Sequence, residues 1–436
     1  MTSNRLFISG LSTLSALGAS REEVGASIGA MKPRTSSVNG APVFRVTDAA
    51  EAVLEKVVQN PRFARLDRVT LLALGAAATM VGRNEIDLAA PYGVSIGSSR
   101  GPTTSLEATH AEFLSSSFSG ETGRVPVETS PTTTAGNTSA WVAQLLMQSA
   151  GAPQSRGSID SGLLAPLCCS TSMTCTSAFH SLLVGVAFLR AGMARSWVFG
   201  GSEAPLTGYT VAQMRALRIY SRNISPSWPC QPLADGERRE STLVLGEGAG
   251  VAVLRQASEP LNPHQELELN SIGWSMEEIP SATGVSDDGV AFEFAMRNAL
   301  SSLGHAPIID AVIMHAAGTF KGDAAEMAAV RRVFLEGGTA EPPALLSTKP
   351  LTGHTFGASG MLSLELARAV LQGTWWPGVG YPSTIAPAGL IGEDEFSTPP
   401  FAGVLENKQS HRKGKILINT AGFGGNVISL VVSSPP

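Results

Sequence analysis

Hydrophobic residues along the chain occur either in short apolar runs or at every third or fourth position. The short runs predict β-strands, and the stretches with helical periodicity predict α-helices. The first half has predicted strands at 6–9, 93–97, 163–170, 196–201 and 242–254, and predicted helices at 21–31, 66–80, 106–114, 138–148, 179–190 and 209–217. The second half has predicted strands at 267–274, 311–315, 344–347, 416–420 and 427–432, and predicted helices at 289–303, 323–334 and 360–371.

Several predicted strands are followed by a predicted helix, which indicates right-handed crossovers and a mostly parallel sheet. The composition changes near residues 256–266, a stretch that contains two prolines. We therefore predict an α/β chain of two similar halves, an N-terminal unit at 1–258 and a C-terminal unit at 259–436.

The composition favours a large, tightly layered protein. The chain has 436 residues, of which 43% are hydrophobic and 15% charged, with 46 glycines. This length supports two domains or one double-sized fold. The net charge is −5 and there is no basic tract, so the electrostatic footprint of a nucleic-acid-binding protein is missing.

Neither a membrane segment nor a metal site is expected. No apolar run approaches the roughly 20 residues of a membrane span. Glycines and serines interrupt residues 5–19, which favours a first strand and turn over a signal peptide. The cysteines at 168, 169, 175 and 230 fit neither a zinc site nor a disulfide framework, which predicts reduced thiols in a cytoplasmic protein.

Cys175 lies where a predicted strand of small and apolar residues meets a strongly apolar helix. The first N–H groups of a helix lack intrahelical partners, and the helix dipole places partial positive charge there. Both effects favour a thiolate, the reactive form of cysteine. The alternative is a buried apolar cysteine, and this stretch alone leaves both interpretations open.

Two histidines each lie in a loop of glycines and small residues, His315 in 315–326 and His354 in 347–360. Small neighbours leave room for a ligand beside an imidazole, although either histidine alone is also compatible with a structural role. Lys349 precedes His354, and a buried lysine would need a carboxylate partner, for which Asp323 and Glu326 are candidates. These two carboxylates are alternatively helix-start residues favoured by the dipole.

Taken together, the segments around Cys175, His315 and His354 resemble the Cys-His-His branch of the β-ketoacyl-ACP synthase family. The resemblance covers nearly the whole chain, with the motifs in the family's order. It implies the thiolase-like fold, with duplicated βαβαβαββ halves in five layers (αβαβα). It also implies a decarboxylative Claisen condensation of an acyl group on Cys175 with malonyl-ACP, in fatty-acid, polyketide or polyene biosynthesis.

The resemblance implies roles for individual residues. Cys175 would be the nucleophile, and its N–H and that of Phe423 would bind the thioester oxyanion, with the Phe423 ring as a gate. His315 and His354 would stabilise the enolate. The remaining implied residues are Lys349 as a further catalytic residue, Asp323 and Glu326 in support, and Thr319, Gly422 and Gly424 as substrate contacts.

The family pattern is not matched throughout. Ala317 replaces a threonine, Ser363 a glutamate and Ala421 an aromatic residue, and the final glycine loop lacks a threonine. These departures bear on substrate preference and leave the three catalytic positions intact. We interpret Glu203, which follows a predicted strand, as a structural carboxylate.

No bound cofactor is expected, because 4′-phosphopantetheine would arrive on the acyl carrier protein. The implied assembly is a homodimer, or a heterodimer with a chain-length-factor-like subunit. A non-elongating partner subunit of such a heterodimer is the alternative function. The altered loops resemble synthases of the aryl polyene and flexirubin type.

Overall fold

The computed structural model describes residues 5–30, 32–83, 92–118, 125–150, 166–222, 228–232, 240–279, 284, 288–304, 307–334, 336, 343–372 and 414–436. The strands in chain order are β1 (Arg5–Leu14), β2 (Ser36–Val38), β3 (Ala41–Phe44), β4 (Tyr92–Gly97), β5 (Leu167–Thr171), β6 (Ser196–Glu203), β7 (Leu245–Gly246), β8 (Gly248–Ala257), β9 (Leu267–Met276), β10 (Ala311–Ile313), β11 (Ala344–Leu346), β12 (Lys415–Gly422) and β13 (Asn426–Ser433). The helices are α1 (Arg21–Ala30), α2 (Asp48–Val58), α3 (Arg68–Gly82), α4 (Thr103–Phe118), α5 (Thr129–Thr133), α6 (Asn137–Ser149), α7 (Ser177–Arg190), α8 (Gly208–Ala216), α9 (Val290–Ser301), α10 (Phe320–Phe334), α11 (Lys349–Thr352) and α12 (Ser359–Leu371).

Most predicted elements are present, with ends that shift by a few residues. Residues 163–165 of one predicted strand lie outside the described residues. Helix α2 was not predicted, although its start is visible in the sequence. Thr47 caps it by accepting a hydrogen bond from the Ala50 N–H, and its apolar positions recur with helical spacing.

Within the described residues, ten strands form one sheet in the order β11-β10-β12-β13-β9-β1-β8-β6-β4-β5. This order contains an internal repeat. From the outer edge inwards, the first copy has the order β5-β4-β6-β8-β1, and the second has the order β11-β10-β12-β13-β9. If the strands of each copy are numbered one to five along the chain, both orders are 3-2-4-5-1. The strand directions repeat as well. A short antiparallel pairing of β1 with β9, over Leu6–Ile8, joins the two copies.

The prediction of a mostly parallel sheet is wrong. In each copy the second and third strands run parallel to their neighbours, and the fifth strand runs antiparallel to both of its neighbours. In the second copy the reason is local, because only residues 423–425 separate the paired residues Gly422 and Asn426. A turn this short reverses the chain and places β13 antiparallel to β12.

Side chains that alternate along β6 pack on both faces of the sheet. Trp197 stacks on Phe188 of α7, with ring centroids 4.8 Å apart, whereas Val198 joins the core cluster that contains α3. Helix α7 also contacts α12, whereas α9 packs on β9 and β13 of the second copy and α10 packs on α9. The predicted five-layer arrangement is confirmed, with α7 and α12 as the central layer.

Among the described helices, none is both long enough and apolar enough to cross a bilayer.

The close packing of α9 on β9 gives a stability prediction. A Cβ added to Gly273 would lie 2.1 Å from the Ala295 carbonyl oxygen and 2.5 Å from the Ala299 nitrogen. Both are backbone atoms that cannot swing away, so Gly273→Ala is expected to lower the free energy of unfolding by roughly 1–3 kcal/mol in urea titrations.

Gly25 of α1 is the matched control, because a Cβ there has no atom within 4 Å. Its replacement by alanine is expected to raise the free energy of unfolding by up to about 1 kcal/mol. Equal unfolding midpoints for the two variants would contradict the close contact between α9 and β9.

Candidate active site

Cys175 lies in a sharp turn between β5 and α7. The turn Thr174–Thr176 is a single 3₁₀ turn, and Thr174 has a φ of 49°, in the left-handed region that a threonine rarely adopts. Ser177 holds this turn, because its hydroxyl donates to the Thr174 carbonyl at 2.6 Å and accepts from the Met173 N–H at 2.9 Å. The strained turn directs the buried thiol into a cavity.

His354 reaches Cys175 from the second copy of the repeat. Its N–H donates to Val244 at 2.7 Å and its carbonyl accepts from Gly246 at 3.1 Å, so the backbone on both sides is docked to β7. The Ser359 hydroxyl lies 3.2 Å from Nδ1 of the ring. The other ring nitrogen, Nε2, is therefore fixed 3.1 Å from the Sγ of Cys175.

His315 completes the group. Its ring meets that of His354 edge to face, with centroids 5.2 Å apart and an interplanar angle of 87°. The N–H groups of His315 and Ala316 each donate to the Glu326 carboxylate at 2.8 Å, and Asn419 donates to the same carboxylate at 3.0 Å. In the described part of the chain, the buried Nδ1 of His315 has no hydrogen-bond partner.

The two carboxylates predicted to support the site are buried and accept hydrogen bonds from backbone N–H groups. Glu326 is fully buried and binds the His315 segment, and Asp323 accepts from the Gly318 N–H at 3.2 Å. Asp323 does lie in the first turn of α10. Lys349 is buried as expected; burial lowers its pKa, and the negative charge of Glu326 is the largest influence in the opposite direction.

The thiol does not have the low pKa that the helix start suggested. Burial, and then the charge of Glu203, raise the pKa of Cys175 to about 12, while Lys349 and the N–H of Cys175 lower it by less. The helix-terminus argument failed because it could not include the loss of water around the sulfur. At neutral pH the free site therefore holds a thiol, and His354 is the group placed to take its proton.

Both histidines are neutral at neutral pH. Burial, and then the positive charge of Lys349, lower the pKa of His315 to about 3. Burial lowers the pKa of His354 far below its usual range, and His315 and Lys349 lower it further. Neutral rings can each donate one N–H to a developing negative charge without bringing a net charge into the cavity.

Two of the three predicted substrate contacts, Thr319 and Gly422, line one cavity, of about 780 Å³ including its opening to solvent. The lining residues that the sequence singled out are Cys175, His315, Ala317, Thr319, Asp323, His354, Ala421, Gly422 and Phe423. Gly424 is in the turn between β12 and β13, with a φ of 94°. The cavity also has walls that sequence reasoning missed, formed by Met214, Ile219, Leu243, Glu277, Phe292 and Phe356.

The turn that carries Phe423 is attached to the nucleophile turn. The Phe423 carbonyl accepts from the Asn426 side chain at 3.1 Å and from the Thr174 hydroxyl at 3.4 Å. The Thr176 hydroxyl donates to the amide oxygen of Asn426 at 2.5 Å. Sequence reasoning named neither threonine as part of this attachment, because only the folded chain brings residues 250 positions apart into contact.

Residues 46–259 match the profile described as Beta-ketoacyl synthase, N-terminal domain, and residues 268–379 match Beta-ketoacyl synthase, C-terminal domain. The chain belongs to the β-ketoacyl synthase family. The two matches together span well over half of this β-ketoacyl synthase chain, and they contain Cys175, His315 and His354. The division at 258 and 259 stays a prediction.

Curated relatives are moderately similar to this β-ketoacyl synthase chain. Nodulation protein E of Rhizobium sp. (strain N33) is 32% identical over 239 residues, which are 54% of this chain and 56% of the relative. The 3-oxoacyl-[acyl-carrier-protein] synthase 2 of Staphylococcus aureus is 26% identical over 313 residues, 70% of this chain and 72% of the relative. The match to the chloroplastic 3-oxoacyl-[acyl-carrier-protein] synthase I of Hordeum vulgare, at 26% identity, covers 64% of this chain and 57% of that protein.

Solved structures support the fold. The ishigamide ketosynthase/chain length factor superposes with a TM-score of 0.75 at 18% identity, covering 99% of both chains. A β-ketoacyl synthase from Burkholderia phymatum gives 0.74 at 21% identity, again over 99% of both chains. A ketosynthase solved in complex with its chain length factor, from Xenorhabdus doucetiae, gives 0.73 at 19% identity, over 99% of this chain and 98% of the other.

The lowered histidine pKa predicts a dependence of stability on pH. The unfolded chain binds a proton at His315 near pH 6.5, whereas the folded chain does so only near pH 3. The stability that neutral His315 contributes is complete above pH 6.5 and is lost as the pH falls. Between pH 7 and pH 5, His315→Gln should remove about 2 kcal/mol of the wild-type decrease in the free energy of unfolding, measured in urea.

His264 is exposed, so His264→Gln serves as the control and should keep the wild-type decrease. If His315→Gln also keeps it, the buried neutral state of His315 is wrong.

Proposed function

We propose that this chain is a 3-oxoacyl-[acyl-carrier-protein] synthase that joins an acyl group on Cys175 to a malonyl unit with loss of carbon dioxide. One observation carries the proposal, namely a thiol with an imidazole 3.1 Å from its sulfur and a second neutral imidazole beside the first in one cavity. A thiol can hold an acyl group as a thioester, and two neutral N–H donors can stabilise an enolate. Thioester formation alone would not require the two imidazoles, and enolate stabilisation alone would not require the thiol. The presence of all three groups therefore favours a reaction that combines both steps.

In the first half-reaction, the Cys175 sulfur attacks the carbonyl carbon of an acyl thioester. The thiol proton passes to Nε2 of His354, and the departing carrier thiolate takes up that proton, so charge balances. The high pKa of Cys175 makes this proton transfer necessary, because the free thiolate is scarce at neutral pH. The N–H groups of Cys175 and Phe423 are the proposed donors to the oxyanion.

In the second half-reaction, malonyl thioester loses carbon dioxide and leaves an enolate. Its oxygen accepts from His315 and from His354, the latter in the tautomer that carries its proton on Nε2. The enolate carbon attacks the acyl carbonyl, and the Cys175 sulfur leaves to release a 3-oxoacyl thioester. Lys349, buried nearby, helps to keep both rings neutral, since its positive charge lowers the pKa of each. One proton taken up from solvent converts the released thiolate back to the thiol, so charge balances.

Both acyl groups would arrive on acyl carrier protein, through the 4′-phosphopantetheine arm and not through a cofactor resident in this chain. A long thin arm suits the cavity that Thr319 and Gly422 line, because the small side chains of Ala317 and Ala421 leave space there. We expect the reaction in the cytoplasm. The aryl polyene subtype stays a prediction.

The edge of the sheet supports an assembly of two subunits. Among the described strands, β5 pairs only with β4, so no other described strand pairs with its outer edge. Leu167 of β5 is 46% exposed. An exposed strand edge with apolar side chains is normally covered, and a second subunit would cover it.

The non-elongating partner subunit is the competing function. Such a subunit needs a pocket wall but no nucleophile and no pair of imidazoles. The retention of the thiol and both imidazoles around one cavity supports an elongating role, either in a homodimer or as the active half of a heterodimer.

A labelling experiment tests the proposed function. Incubation with acyl-ACP should add the mass of the acyl group to the Cys175 peptide, and Cys175→Ala should not be labelled. His315→Ala and His354→Ala should each slow carbon dioxide release from malonyl-ACP by about 10²–10³, because each removes one donor to the enolate. Full condensation activity in Cys175→Ala would refute the assignment.

The proposed subunit interface gives a separate prediction. Leu167→Lys should convert the dimer to a monomer in size-exclusion chromatography with light scattering, because the charge would be buried at the edge of β5. Leu261→Lys is the matched control, since Leu261 is 73% exposed elsewhere on the surface, and it should leave the mass unchanged. A Leu167→Lys dimer would contradict this interface.

A further inference from the structure

Glu203 ends β6 and is completely buried, but it forms no ion pair within the described residues. Its carboxylate instead accepts four hydrogen bonds. The Ser98 hydroxyl donates at 3.0 Å, and the backbone N–H groups of Ser99, Arg100 and Gly357 donate at 2.7, 3.0 and 3.0 Å. A buried carboxylate with four donors is well satisfied.

These donors come from two different segments. Ser98, Ser99 and Arg100 follow β4 in the first copy of the repeat, and Gly357 belongs to the 3₁₀ turn Phe356–Ala358 that follows His354 in the second copy. One carboxylate therefore joins the nucleophile-bearing copy to the histidine-bearing copy.

The turn that Glu203 holds is strained and contacts the histidine. Phe356 has a φ of 39°, and its ring meets the His354 ring edge to face at 5.2 Å. A Cβ on Gly357 would lie 2.7 Å from the Ser99 nitrogen and 2.9 Å from the Glu203 carboxylate, so the segments are in close contact. A strained turn persists only where its surroundings fix it, and Glu203 supplies an anchor.

The start of α7 rests on the same structure. A Cβ on Gly201 would lie 2.6 Å from the Gly357 carbonyl oxygen and 2.7 Å from Cβ of Ala178, three residues after Cys175. The end of β6 is thus in contact with the supports of both reacting groups.

We propose that Glu203 is a positioning residue, which clamps the turn after His354 onto the loop after β4 and thereby sets the distance between the His354 ring and the Cys175 thiol. Its role in catalysis rests on the proposed condensation. The clamp itself does not depend on that reaction.

The charge of Glu203 also acts on the site. It is the largest influence after burial that raises the pKa of Cys175, and the other charged or titratable groups around that thiol are Lys349, His354 and His315. Burial raises the pKa of Glu203 to about 7, although its four hydrogen bonds act in the opposite direction. The effect of the Glu203 hydrogen bonds on the position of His354 and the effect of the Glu203 charge on the Cys175 thiol can therefore be separated by substitution.

Two substitutions separate them. Glu203→Gln keeps the size but turns two acceptor positions into donors that face backbone N–H groups, and it removes the charge. Glu203→Asp keeps the charge but is too short to reach both segments. We expect each to slow condensation at least tenfold. At pH 9, where Glu203 of the wild type is ionised, we expect only Glu203→Gln to speed alkylation of Cys175 by iodoacetamide, about tenfold.

Glu266 provides the matched control. It is a buried carboxylate with four donors, from Ser9, Arg255, Leu261 and Asn262. Arg255 pairs with Ser196, seven residues from Glu203 at the opposite end of β6, roughly 23 Å away. Glu266→Gln should lower the melting temperature but keep the wild-type rates of alkylation and condensation.

The outcomes are distinct. If Glu203→Gln matches Glu266→Gln in both rates, the proposal is overturned. If Glu203→Gln does not fold, Glu203→Asp is the deciding variant. A wild-type rate of condensation in Glu203→Asp would overturn the clamp. Slow condensation by Glu203→Asp with a wild-type melting temperature would support it. If wild-type protein releases no carbon dioxide from malonyl-ACP, the proposed function fails, and the alkylation rates still decide whether Glu203 acts on Cys175.

Discussion

The contact between the Cys175 sulfur and the His354 ring is the interaction on which the site depends. Its two atoms are 3.1 Å apart, but their residues are 179 positions apart and belong to different copies of the repeat. Neither copy contains a complete site. The central layer formed by α7 and α12 brings the starts of two helices together, and the reacting groups lie in the turns just before those helices.

This arrangement places strain next to each reacting group. Thr174 precedes Cys175, Ala316 follows His315 and Phe356 follows His354 by two residues, and all three have positive φ values. Each strained turn is held by a buried side chain, respectively Ser177, Glu326 and Glu203. Backbone strain of this kind costs of order 1–3 kcal/mol per residue, and the surrounding hydrogen bonds offset it.

Burial then determines the chemistry of the three groups. Removal of water raises the pKa of the thiol and lowers the pKa of both imidazoles, so the free site is neutral except for Lys349 and the surrounding carboxylates. A neutral, preorganised pair of donors acts most strongly where water is excluded, because the effective dielectric constant is low there. The same burial requires that the thiol proton be removed during the reaction.

The sequence by itself determined the element types, the duplicated α/β architecture and the family, because hydrophobic period and the small residues around Cys175, His315 and His354 are local properties. It did not determine the direction of the fifth strand in each copy, the raised pKa of Cys175 or the hydrogen bonds by which Glu203 joins two distant segments. Those depend on desolvation and on contacts between segments 100 or more residues apart, such as Glu203 with Ser99 and Gly357. Only the packed tertiary structure fixes such distances, so only the structure could decide them.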